Sequence, residues 1–110
     1  MKTIVIIVAA SLFAGSAISA RAADAKENWT KHCAQCHGPD GQANTKMGMK
    51  LQAKDLTSPK VQASFTDAQA ATAIKDGIKE NGKAKMIAFG SKLSDDEIKA
   101  LVAYVRTLKK

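Results

Sequence analysis

Cys33-Ala34-Gln35-Cys36-His37 is the stretch on which the reading of this chain turns. Two cysteines three apart with a histidine directly after the second form the attachment pattern of a c-type haem. Each thiol can bond one vinyl group of the porphyrin, and the histidine lands beside the iron. Cys33 and Cys36 are the only cysteines in the sequence, so none is left for another purpose. A thiol redox pair belongs beside a strand-helix-strand pattern, which is not found here. A closed zinc site needs four ligands, and beyond the two cysteines the chain offers only His32 and His37. His37 alone has the attachment spacing. His32 sits too close to the attached edge to reach the opposite face of the ring and is expected as an exposed helix residue.

Upstream, Met1 and Lys2 precede an apolar run from Ile4 to Phe13, followed by small residues and an Ala-x-Ala site at Ala20, Arg21 and Ala22. A positive start, a short hydrophobic segment and small residues at a cleavage site describe a secretory signal peptide, residues 1–22, removed after Ala22. The run is short for a membrane span and is interrupted by Ser11, Gly15 and Ser16, although an uncleaved anchor is the alternative. Removing 22 of the 110 residues leaves an 88-residue domain, 23–110. Lys2 and Arg21 go with the leader, so the seventeen basic residues fall to fifteen against ten acidic ones and a charge of +7 becomes +5. A periplasmic location follows, and no stable membrane insertion is expected after cleavage.

A domain of this size buries a modest share of its surface and commonly leans on a disulfide, a metal or a cofactor, which a covalently held haem would supply. Without internal repeats or alternating strand patterns the expected class is all-α, three to five helices around the haem. The first mature helix is expected over about Asp24 to Cys36, stopped by Gly38-Pro39-Asp40-Gly41. Gly41 to Asp55 reads as an irregular loop with Met47, Met49 and Leu51 as its apolar points. A short helix can begin at Ser58 with Pro59 in the first helical position. Thr66 and Gln69 form a capping box for a helix from about Asp67 to Asp76, ended by Gly77, with a second stop at Asn81-Gly82.

The last helix is the clearest element. Ser94 and Glu97 make a capping box, Leu93 and Ile98 can close a hydrophobic staple, and Asp95 and Asp96 suit the positive helix start. Ile98, Leu101, Val102, Val105 and Leu108 then fall on one stripe at helical spacing. Before it lies Lys85-Met86-Ile87-Ala88-Phe89-Gly90. Opposite His37, a haem iron has a sixth position, where a thioether stabilises the reduced state. Met86 has enough chain to reach that far face. Met47 and Met49 are too near His37 and are expected to line the haem edge or the histidine side, though either is the alternative ligand. A lone methionine is ordinarily core packing; the haem pattern upstream and the strong helix start downstream lift Met86 above that.

Nearly the whole mature chain resembles the class I cytochromes c, in particular the small bacterial monohaem ones. Cys33, Cys36 and His37 match the attachment motif, and Trp29 fills the aromatic position four before the first cysteine. Gly48 to Leu51 is similar to the family's Gly-Pro-x-Leu segment, Met86 to Phe89 to its Met-Pro-x-Phe loop, and Leu101 with Tyr104 to its final Leu-x-x-Tyr. The resemblance implies one covalent haem c held through Cys33 and Cys36, with His37 and Met86 as iron ligands. It also implies that the first and last helices cross near Trp29, Leu101 and Tyr104. Two prolines of the family pattern are missing. One is replaced by Met49, whose backbone carbonyl could still accept the histidine proton. The other is replaced by Ile87, so the loop carrying Met86 loses a φ constraint and a more labile iron-methionine bond is expected.

With both axial positions filled the expected role is that of a monomeric one-electron carrier and not of an enzyme. Lys75, Lys79, Lys83, Lys85 and Lys92 flank one loop and Lys46 and Lys50 the other. A solvated surface accounts for such lysines by default; ringed around the haem edge they would steer the chain onto redox protein partners with acidic docking surfaces. Nucleic acid is not an expected partner, since no matching motif is present. The competing class is a haem-dependent peroxidase or gas-binding sensor with a labile sixth ligand; a thiol-disulfide oxidoreductase is a third.

Overall fold

The computed structural model describes residues 16–110. The leader run Ile4–Phe13 lies outside the described residues, while the Ala20-Arg21-Ala22 site falls within the first helix, α1 (Ser16–Asn28). Helical backbone continues from α1 through a wider π-helical turn, Trp29–Cys33, into α2 (Ala34–His37). The helix expected to begin near Asp24 thus starts earlier and reaches His37. Gly38, at φ 80, ends it as the turn sequence requires.

The stretch expected to be an irregular loop contains a further helix, α3 (Lys46–Leu51). Thr45 caps it, its hydroxyl accepting from the Gly48 amide at 2.9 Å, and the same hydroxyl donates to the Cys36 carbonyl at 2.9 Å. Gly48 lies where α3 meets α2, and a Cβ there would run into the Cys36 carbonyl. Next come α4 (Pro59–Ala63), with Ser58 as cap and Pro59 at its start, and α5 (Asp67–Asp76), closed by the Thr66–Gln69 capping box and Gly77.

Asn81-Gly82 is not a helix stop but the two-residue turn of a hairpin. β1 (Ile78–Glu80) pairs antiparallel with β2 (Lys83–Met86). Asn81 and Gly82 both have positive φ, 53 and 77, as the hairpin turn that matches strand twist demands. This pair of short strands is the only sheet among the described residues, and the class remains all-α.

α6 (Asp95–Thr107) closes the molecule, with the Ser94–Glu97 capping box formed on both sides. Its apolar stripe packs against α1 and α5. Leu101 is fully buried and Trp29 nearly so, and the Trp29 and Tyr104 rings lie 5.5 Å apart at the α1–α6 crossing. Asn28 donates to Glu97 Oε2 at 3.1 Å across the same crossing. Arg106 fastens α6 to the α4–α5 connection, donating to the carbonyls of Gln62 and Phe65 and pairing with Asp67 at 2.8 Å. Among the described residues no helix is long and apolar enough to cross a membrane.

Candidate functional site

A cavity of about 570 Å³ opens between α2, α3, α5, the hairpin and α6. Its walls are mostly apolar, with Trp29, Leu51, Leu56, Phe65, Ile74 and Leu101 among them, and its size falls within the about 300–1,000 Å³ typical of cofactor sites. Three of the four candidate residues, Cys33, His37 and Met86, line it. Cys36, half-buried on α2, does not, but lies near enough to raise the Cys33 thiol.

His37 is oriented from two sides. Its Nδ1 lies 3.2 Å from the Lys54 carbonyl oxygen, and since a carbonyl can only accept, Nδ1 carries the proton. Nε2 then keeps its lone pair, the arrangement a metal-ligating imidazole uses. The Trp29 ring stands 5.9 Å from the imidazole, fixed in turn by its own Nε1 donating to the Gly38 carbonyl at 3.1 Å. Burial lowers the pKa of His37 and the Lys54 carbonyl acts the other way, so the neutral form prevails at neutral pH. The acceptor expected from the family pattern was the carbonyl of Met49. That carbonyl instead receives the Gln52 amide at 3.3 Å as α3 ends, and the chain presents Lys54 to the histidine.

Met86 ends β2 and is half-buried. The loop after it is held without proline. The amides of Phe89 and Gly90 donate to the carbonyls of Ile74 and Lys75 at 2.9 and 3.0 Å, anchoring it to the end of α5. Gly77, at φ 74, lets the backbone pass there, since a Cβ would meet the Met86 carbonyl at 2.6 Å. Met47 and Met49 do not line the cavity, and Met49 is 68% exposed on α3. His32 is half-buried rather than exposed, its ring 5.6 Å from that of Phe89.

The thiols separate the remaining readings. Burial, with a smaller contribution from Cys36, pushes Cys33 up to about 11. The buried Cys33 thiol is thus held protonated, unlike the activated thiolate that opens disulfide exchange. Among the described residues no group of three or more His, Cys, Asp or Glu side chains converges to hold a metal ion. An apolar cavity lined by one free imidazole nitrogen, one thioether and the Cys33 thiol, with Cys36 beside it, fits a haem.

Comparison with known proteins carries the class. Residues 20–105 match the family described as cytochrome c oxidase, cbb3-type, subunit III. The chain belongs to this family of c-type cytochromes. The solved structure of the KustC0563 c-type cytochrome is similar at 36% identity and a TM-score of 0.71, covering 79% of this chain and 99% of that one. A single-site mutant of the same cytochrome is similar at 35% identity and a TM-score of 0.68, covering 78% and 99%. No curated protein matches. This kinship with c-type cytochromes is in keeping with electron transfer and a non-enzymatic role.

Proposed function

We propose that the chain is a monohaem electron carrier of the small class I type, with one haem c attached through Cys33 and Cys36 and ligated by His37 and Met86. The observation that carries this reading is that His37 and Met86, from distant parts of the chain, line one apolar cavity together with Cys33. Bound there, the haem iron supplies one-electron exchange between ferric and ferrous states, and a sulfur ligand raises its potential. The residues have separate tasks. Lys54 and Trp29 fix the imidazole plane, the α5 carbonyls hold the segment bearing Met86, and the apolar wall keeps the site dry.

The surface suits a charged partner. Lys46 and Lys50 on α3 and Lys79 and Lys83 on the hairpin are exposed and form no ion pair among the described residues. Lys75 and Lys85 are paired with Asp95 and Glu80, and Lys92 stands 5.8 Å over the Phe89 ring. The free cations would steer a monomer onto an acidic redox protein, with association weakening as salt rises. The family fits export to the periplasm, and we place the leader at residues 1–22 and the carrier domain at 23–110.

Absorption spectra in both redox states, with haem staining on a denaturing gel, test the reading. The wild type should show covalent haem and a low-spin ferric spectrum with a methionine-to-iron charge-transfer band, which Met86→Ala should abolish. A wild-type protein that lacks the band and binds carbon monoxide or peroxide readily would favour the sensor or peroxidase reading.

A further inference from the structure

Lys85 and Met86 are consecutive in β2, and in an unbroken strand consecutive side chains face opposite ways. Here both line the cavity. The register gives the reason. Ile78 pairs with Met86 and Lys79 with Ala84, which leaves Lys85 as an extra residue without a partner of its own. This is a β-bulge, a device that re-aims side chains beside functional sites.

Redirected in this way, the Lys85 ammonium lies 2.7 Å from Glu80 Oε2 on the facing strand and 3.0 Å from Gln52 Oε1. Gln52 is the left-handed cap that ends α3, at φ 55. Gln52, Glu80 and Lys85 all line the cavity, and the Lys85 and Glu80 side chains are partly open to solvent, so the bridge lies along its solvent-facing rim. One cation therefore ties the strand that ends in Met86 to its partner strand and to the α3 cap.

We infer that Lys85 is a positioning residue for Met86, setting how firmly the sulfur is held and how readily an outside ligand displaces it. The inference rests on Met86 being the sixth ligand. The Glu80–Lys85 pair alone crosses the hairpin; adding Gln52 joins the hairpin to α3, so losing the ammonium releases both attachments at once. The bridge is partly exposed, so its effect is modest and sensitive to salt.

The test is binding of imidazole to the ferric holoprotein, read beside the methionine-to-iron band. Lys85→Gln and Glu80→Gln should each raise apparent imidazole affinity by about two- to fivefold, the range expected for a partly exposed pair. Lys85→Arg should stay near wild type, and Glu80→Lys combined with Lys85→Glu should recover much of the loss. High ionic strength should shrink the differences. Wild-type affinity in both single variants, with the band present in the wild type, overturns the inference alone. A wild-type protein without the band overturns it together with the ligand reading.

Discussion

His37 Nδ1 donates to the carbonyl oxygen of Lys54 at 3.2 Å, so the hydrogen-bond acceptor of the imidazole belongs to the backbone and not to a side chain. Lys54→Ala should therefore leave the haem spectrum unaltered. Met49→Ala should do the same, with stability within about 0.5 kcal/mol of wild type, because Met49 is exposed and its carbonyl serves α3. Spectra and denaturant midpoints check both; a changed axial spectrum in Met49→Ala would return the Met49 side chain to the candidates for the iron ligand.

Gly48→Ala should be costly for so small a change. The added methyl would strike the Cys36 carbonyl and approach the Ala43 carbonyl and Thr45 hydroxyl at 2.9 Å. Pushing α3 away from α2 should cost about 1–3 kcal/mol, as overpacking commonly does. Denaturant unfolding of the holoprotein measures it, and an unchanged midpoint would mean that the two helices tolerate a wider separation.

Glu97 links acid sensitivity to the crossing of α1 and α6. The Ser94 amide, then the Asn28 amide group, hold its carboxyl below the ordinary value of 4.5. A carboxyl with a lowered folded-state pKa contributes stability that is present above the ordinary value and is lost as pH falls through the folded-state value. Glu97→Gln keeps an oxygen for the Ser94 amide but removes that dependence. Thermal unfolding over a descending pH series should show the wild-type advantage fading below pH 4.5, and parallel curves would sink the assignment.

Ile87, 56% exposed, lies between β2 and the Phe89 amide that first anchors the loop to α5. Ile87→Pro should stiffen this span and delay loss of the methionine band on alkaline titration of the ferric protein. The about 0.4–1 kcal/mol of a compatible proline corresponds to a shift of roughly a third to two thirds of a pH unit. An unmoved midpoint would show that the missing proline does not weaken the sulfur contact.

What the sequence disclosed and what it hid divide along the reach of the chemistry involved. The starts at Ser58, Thr66 and Ser94 were legible because a cap and its partner lie within three residues of each other. α3 was hidden because its cap, Thr45, has a glycine where a Glu or Gln would complete the box, and because the helix spans six residues. The hairpin carries a readable signal in Asn81-Gly82, but Ile78 is the sole β-branched residue in the two strands, so from sequence the pair reads as a helix end. Cys33, His37 and Met86, each singled out in the sequence, line one cavity. The Lys54 carbonyl was beyond sequence reasoning, since every residue has one and only the path of the chain decides which is used. The bulge at Lys85 was hidden likewise, because register belongs to the paired strands and not to either alone.

The packing of Trp29 against Tyr104, with Leu101, Val102 and Val105 completing the same core, has a bearing on how the molecule is made. α6 lies far downstream of the two cysteines in the chain and supplies one wall of the interior, while Trp29 supplies the other. The core around Cys33 therefore cannot close until α6 has been made and has docked. On the proposed reading, a bond to the Cys33 sulfur is best made before that docking, so the order of the elements along the chain sets attachment ahead of closure.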